Sequence, residues 1–261
     1  MNHLLRSLAP ITARAWELLD EEARRQLAVA LASRRLVDFS GPHGWDHSAT
    51  NLGRTEPVPD GSVDGVFTRR RLVLPVVEQR APFTVSLEEL AAIDRGAVDP
   101  DLDGLAEAAR RMALTENTAV FDAIAGASPH EPIALGDDVT TCPTHVARAV
   151  ELLLRSGVGG PYGMALGPDV YTAVIETTEH GGYPLFEHLR QILGGPFVWA
   201  PGVEGAVVVS LRGGDFLFDC GQDVAIGYEA HDAETVSLYL VESFTMRVAT
   251  PEAGVALGAA T

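Results

Sequence analysis

The chain has 261 residues, 46% of them apolar and 21% charged, the profile of a globular protein large enough to bury a core without disulfide staples. Its 36 acids outweigh 19 bases, a formal charge of −17 that disfavours the phosphate neutralisation on which nucleic-acid binding depends. All the bases are arginine, so a lysine-dependent phosphate loop and Schiff-base catalysis are both excluded.

Residues 12–34 carry Trp16, Leu19, Ala23, Leu27 and Leu31 at helical spacing and predict an amphipathic helix capped by Thr12. Residues 52–80 predict a long β-excursion with "VPDGSVDG" at its tip. Such an arm is poorly buried in a lone monomer and points to a partner chain. The run Arg69 to Arg71 sits in this extended stretch and sends its charges to both faces. "SLEELAAIDRG" predicts a short helix with a Ser86–Glu89 capping box and Gly96 as its stop. A long helix over 103–125 follows, with Leu105, Met112, Glu116, Val120 and Ile124 on one side, so Glu116 is expected to be a buried, paired carboxylate. Helices and strands then alternate: "THVARAVELLLRSG" (helix), "YGMAL" (strand), "PDVYTAVIET" and "PLFEHLRQIL" (helices with proline first), then "FVWAP" and "GAVVVSL" (strands). "TVSLYLVESFTMRVAT" alternates with period two, and Glu242 is the exception on its apolar face.

The stretch "RGGDFLFDCGQDVAIGYEAHD", 212–232, concentrates glycines, aspartates, a cysteine and a histidine. "RGGD" and "DCGQD" are expected to be hairpin turns. No helix follows either, so neither offers a helix N-terminus to phosphate. Asp215, Asp219 and Asp223 are spaced by four in an extended meander and do not converge as in a calcium loop. His43 and His47 are four apart with Asp46 adjacent, but Gly41, Pro42 and Gly44 argue against the helix that would bring them together, so they are expected to be surface histidines. Neither a catalytic constellation nor a metal site is expected. Cys142 and Cys220 are far apart and fit free thiols in a reducing cytosol. No run approaches the roughly 18 apolar residues of a membrane helix, and "MNHLLRSLAPIT" is too short an apolar start for a signal peptide.

Several segments resemble, in order, the encapsulin shell proteins, also called linocin or bacteriocin-like: "RSLAPITARAWELLDEEA", "RRLVDFSGPHGW", "PFTVSLEELAAIDRG", "GPYGMAL", "HGGYPLFEHL", "WAPGVEGAVVVSLRGGDF" and "GQDVAIGYEAHDAETVSLYLVESFTMRVATPEA". The resemblance implies an α+β fold of the Hong Kong 97 phage major capsid type. Its peripheral domain with a spine helix would take 1–49, 81–131 and 231–261, its extended arm 50–80 and its axial domain 132–230. It implies a non-enzymatic shell of about sixty copies with icosahedral closure. The shell would be cytoplasmic, without nucleic acid or membrane, and would enclose a cargo enzyme, a dye-decolourising peroxidase or a ferritin-like iron protein, through the cargo's C-terminal peptide. The alternatives are a peptidase or bacteriocin-like enzyme and a true phage capsid protein. Without lysine, the lysine–asparagine cross-links of some relatives of this capsid fold are excluded.

The resemblance also implies sites. The cargo peptide would dock where the first helix meets the peripheral sheet, with Leu27 and Leu31 lining an apolar trough and Arg34 and Asp38 holding the peptide at its rim. The other reading makes the leucines core and Arg34–Asp38 an internal salt bridge. Glu179, His180, Gly181, Gly182 and Tyr183 would line the fivefold pore, although an extra glycine relative to the family's pattern leaves open which residue faces it. Some members bind flavin against an aromatic residue where this chain has Glu88, so no cofactor is expected.

Overall fold

The computed structural model describes residues 3–59, 64–136, 138–179 and 182–258. Helix α1, Ala13–Ala30, starts where Thr12 Oγ1 accepts the Ala15 amide at 3.2 Å. It buries Ala15, Trp16, Leu19, Ala23 and Leu27 and stops short of the expected residue 34, giving way to a 3-10 turn over Ser33–Arg35. Strand β1, Asp38–Ser40, follows. Strands β2, Ala49–Pro57, and β3, Arg69–Pro75, pair only with each other as a two-stranded ribbon, none of whose residues is buried.

Strand β4, Val77–Ser86, leads into α2, Leu87–Arg95. Half of the expected capping box forms: Ser86 Oγ accepts the Glu89 amide at 3.0 Å, while the Glu89 carboxylate accepts from the Asp101 amide. Gly96 ends α2 at φ 102°, a left-handed conformation that glycine adopts without strain. The long helix α3, Asp103–Ala127, matches its sequence pattern.

Strand β5, Ile133–Ala134, and helix α4, Cys142–Arg155, come next, followed by β6, Tyr162–Leu166, and α5, Pro168–Glu176. Helix α6, Leu185–Leu193, has Pro184 as its N-cap rather than its first residue. Strands β7, Phe197–Trp199, β8, Ala206–Ser210, β9, Phe216–Cys220, β10, Ala225–His231, β11, Thr235–Val248, and β12, Gly254–Gly258, complete the chain.

Two five-stranded sheets organise these elements. In the first, β11 is central: β4 pairs antiparallel with it along 235–244, β10 along 236–241 and β9 along 244–248, and β1 lies parallel to β9. The second runs β5-β12-β8-β6-β7. This pairing corrects the hairpin reading of 212–224. Strands β8 and β9 belong to different sheets, so "RGGD" is a crossing between them. Strands β9 and β10 both pair with β11 and not with each other. Residues 77–80 pair with β11 rather than extending the ribbon, β9 and β10 belong to the first sheet, and 254–258 join the second.

The interior divides into two apolar clusters. One gathers α1, α2, β4, β10, the first half of β11 and the first half of α3 around Leu19, Ile93, Leu105 and Leu238. The other gathers α4, α6, the second sheet, the end of α3 and, from the first sheet, β9 with Phe244 of β11, around Phe121, Leu153, Met164 and Phe216. Helix α3 serves both, with Met112 in the first and Val120 and Ile124 in the second. Between those positions sit its two buried polar residues, Glu116 and Asn117.

Candidate functional site

A cleft of about 400 Å3 runs beside α1, in the size range of a site for a few side chains rather than a folded partner. Ala23, Leu27, Ala28 and Leu31 form its α1 wall, and Val224, Ile226 and Leu240 line it from the first sheet. Arg6 pairs with Asp20 at 2.7 Å and lies over the Trp16 ring at 4.0 Å, fixing one end. Arg34 and Asp223 close the other. Leu27 belongs to the core as well as the cleft, while half-buried Leu31 packs against that core from the edge.

The structure therefore brings Leu27, Leu31 and Arg34 to one cleft but not Asp38. Asp38 lies on exposed β1, where its Oδ2 accepts the Gly214 amide at 2.7 Å beside a separate cavity near Leu36 and Phe216. Arg34 and Asp38 do not form the salt bridge weighed as the other reading, because Arg34 is committed elsewhere. Its Nε and Nη2 donate to Glu116 Oε2 at 2.9 and 2.8 Å, its Nη1 to Asp223 Oδ1 at 2.8 Å, and Nη2 also to Glu242 Oε1.

This network joins four distant parts of the chain. Ser33 Oγ donates to Glu116 Oε1. Asn117 beside it accepts the Ala32 and Ser33 amides on Oδ1 and donates to the Ala30 and Pro201 carbonyls, so one side chain closes the end of α1. Burial would lower the Arg34 pKa, but Glu116 and Glu242 outweigh it and hold the guanidinium above its ordinary value. Burial, reinforced by Glu116, pushes the Glu242 carboxyl up to about 9. Burial likewise pushes the Cys220 thiol up to about 12. The expectation for Glu116 holds, since its side chain is 0% exposed and paired. Asn117, Ser33 and Asp223 were not singled out from sequence for this network. The legible signals were Glu116 and Glu242, two acids interrupting apolar faces.

Around the loop expected at the pore, the Glu179 amide donates to the Tyr183 carbonyl at 2.8 Å and the Gly182 amide to the Glu179 carbonyl at 2.9 Å. Glu179 Oε1 meets His188 Nδ1 at 2.8 Å, and Gln191 Nε2 donates to the Tyr183 hydroxyl at 3.0 Å. His180 and Gly181 lie outside the described residues. Asp215 and Asp219 diverge as expected, to Arg212 at 2.9 Å and to the Thr50 hydroxyl at 2.7 Å. His43 is exposed, 3.7 Å from Asp219 Oδ1, and its ring centroid lies 4.9 Å from that of His47.

A family described as "Encapsulating protein for peroxidase" matches residues 1–245. The chain is 47% identical to the type 1 encapsulin shell protein of Rhodospirillum rubrum, covering 98% of this chain and 96% of that one. The chain belongs to the encapsulin shell-protein family. Encapsulin relatives also include the type 1 shell protein of Mycobacterium tuberculosis, 41% identical over 98% of this chain and 99% of its own. Among solved structures, the virus-like particle from Pyrococcus furiosus matches with a TM-score of 0.66 at 17% identity, covering 92% of this chain and 98% of that one. The mature capsid of bacteriophage PhiM1 matches with a TM-score of 0.50 at 12% identity, covering 88% and 87%. The fold is thus the phage capsid fold. As an encapsulin, the chain is a structural shell protein that builds capsid-like particles, and not an enzyme.

Proposed function

We propose that the chain closes into a hollow cytoplasmic compartment of about sixty icosahedrally arranged copies. The compartment encloses an enzyme, a peroxidase or a ferritin-like iron protein, through that enzyme's C-terminal peptide. The β2–β3 ribbon carries the assembly reading. A two-stranded ribbon is at best marginally stable alone, and this one has exposed apolar side chains such as Val73, with Phe67 81% exposed just before β3. A neighbouring subunit supplies the missing cover. The charge of −17 per copy makes a packaged genome unfavourable.

The peptide lies in the α1 cleft, its apolar side chains against Leu31, Ile226 and the exposed edge of Leu27. The rim charges are Arg6, Asp20 and Asp223 rather than Asp38. The Glu179–Tyr183 loop lines the fivefold opening, and a density map placing it away from that axis overturns this assignment. Losing one apolar anchor costs about 1–3 kcal/mol of docking. Shells are co-expressed with a dye-decolourising peroxidase or a ferritin-like protein that carries a C-terminal targeting peptide, intact or with that peptide removed. Parent shells are expected to carry the intact enzyme. Leu31→Asp shells, and shells given the truncated enzyme, are expected to assemble empty. A full load in Leu31→Asp shells of normal size overturns the groove assignment. Nucleic acid inside purified particles overturns the enzyme-compartment reading.

A further inference from the structure

The acids around Arg34 hold more negative charge than Arg34 cancels. Glu116, Glu242 and Asp223 all meet its guanidinium, and no other base pairs with them among the described residues. Burial favours the protonated form of Glu242, which leaves the carboxylates of Glu116 and Asp223 facing the one guanidinium, where the side chains of Glu116 and Glu242 are 0% exposed. Cys220 at the end of β9 brings a thiol to the same place. Its Sγ, one carboxylate oxygen of Asp223 and one of Glu242 lie within 4.8 Å of one another. No other group of three such donors is this close among the described residues.

The second observation is an orphaned oxygen. Glu242 Oε1 is taken by Arg34, but Glu242 Oε2 is buried with no hydrogen-bond partner. Buried acceptors are rarely left unpaired, and one beside a thiol and a second carboxylate is what a metal ion satisfies. Asp223 supplies the way in, because its side chain is 46% exposed and lines the α1 cleft.

We propose that Cys220, Asp223 and Glu242 bind one divalent cation of the zinc class, with thiolate sulfur and two carboxylate oxygens as ligands and a water in the fourth position. A sulfur donor with two oxygens suits zinc, whereas calcium and magnesium prefer oxygen alone. A tetrahedral ion needs bonds of roughly 2.0–2.3 Å, so the three donors draw together modestly from their present spacing. On binding, the S–H bond of Cys220 and the carboxyl O–H of Glu242 break, sulfur and oxygen keep the electron pairs for the metal, and both protons leave to solvent. The ion's two positive charges match the two negative charges that the departing protons leave behind. The ion ties β9 to β11 at the base of the α1 cleft.

Assembled shells are stripped with a chelator, dialysed and titrated with Co2+ as a coloured stand-in for Zn2+. A saturable sulfur-to-cobalt charge-transfer band is expected at about one ion per subunit, displaced by Zn2+. Cys220→Ser is expected to abolish it, Cys142→Ser to keep it, and Asp223→Asn to weaken binding at least roughly tenfold. Should Cys220→Ser shells fail to assemble, Asp223→Asn at the half-exposed ligand carries the test. No band in the parent shell, meaning that protons alone occupy the site, overturns the proposal. A band that survives Cys220→Ser, or unchanged affinity in Asp223→Asn, does the same.

Discussion

Arg34 and Glu242 lie 208 residues apart in sequence and are joined side chain to side chain in the fold. The contact links the turn after α1 to the central strand of the first sheet, and through Glu116 to the long helix. Removing Arg34 takes the guanidinium from two fully buried side chains, Glu116 and Glu242, whereas replacing an ion pair by apolar or neutral groups is often tolerated. Arg34→Ala is therefore expected to cost about 3 kcal/mol of subunit stability, read by denaturant unfolding. The double change Arg34→Met with Glu242→Gln is expected to recover part of that loss. Stability within about 0.5 kcal/mol of the parent for Arg34→Ala would contradict this account.

Asn117 is the second polar anchor of α3. Its loss leaves the Ala32 and Ser33 amides and the Ala30 carbonyl unpaired in the interior. At about 1–3 kcal/mol for a buried unsatisfied group, Asn117→Leu is expected to destabilise the subunit by at least about 2 kcal/mol. Thr118→Ala, which loses one hydroxyl bond to the Gly202 carbonyl, is expected to cost about 1 kcal/mol or less. The ranking of the two unfolding midpoints checks this.

Both cysteines are buried, at 2% and 0% exposure. Burial pushes the Cys142 thiol up to about 11, so near pH 8 only about one molecule in a thousand presents a thiolate there. Native shells are expected to resist alkylation until unfolded. Boiled in detergent without reductant, they should run as one band at monomer mass. Ladders that persist after reduction would show covalent links that a chain without lysine should lack.

The ribbon is expected to be needed for assembly and dispensable for the subunit's cores, because none of its residues is buried in the single chain. Phe67→Ser with Val73→Ser should yield folded subunits, with native near-ultraviolet circular dichroism, that fail to close into particles. Normal particles from this variant would show that the ribbon is free rather than covered.

Local patterns carried most of the fold. Thr12, Ser86 and Gly96 marked helix ends because capping is decided within a few residues. Leu105 to Ile124 marked α3 because one apolar side repeats along it. What sequence could not reveal was pairing between distant elements. The glycines of "RGGD" look the same whether the chain turns back or crosses to another sheet, and only the partners of β8 and β9 distinguish the two. The cleft was partly legible, since Leu27, Leu31 and Arg34 lie along or just after one helix. Asp38 falls outside the cleft, because the 3-10 turn over Ser33–Arg35 carries the chain into β1 beside a separate cavity. Glu116 and Glu242 were visible as misfits on apolar faces, but nothing local named Arg34 as their shared partner.

The central claim is that this chain closes on itself into a shell, and the mass of the purified assembly at neutral pH tests it most directly. Light scattering with electron microscopy of negatively stained particles is expected to show uniform hollow spheres of about sixty subunits. A population of monomers or dimers alone, with no closed particles, would contradict it.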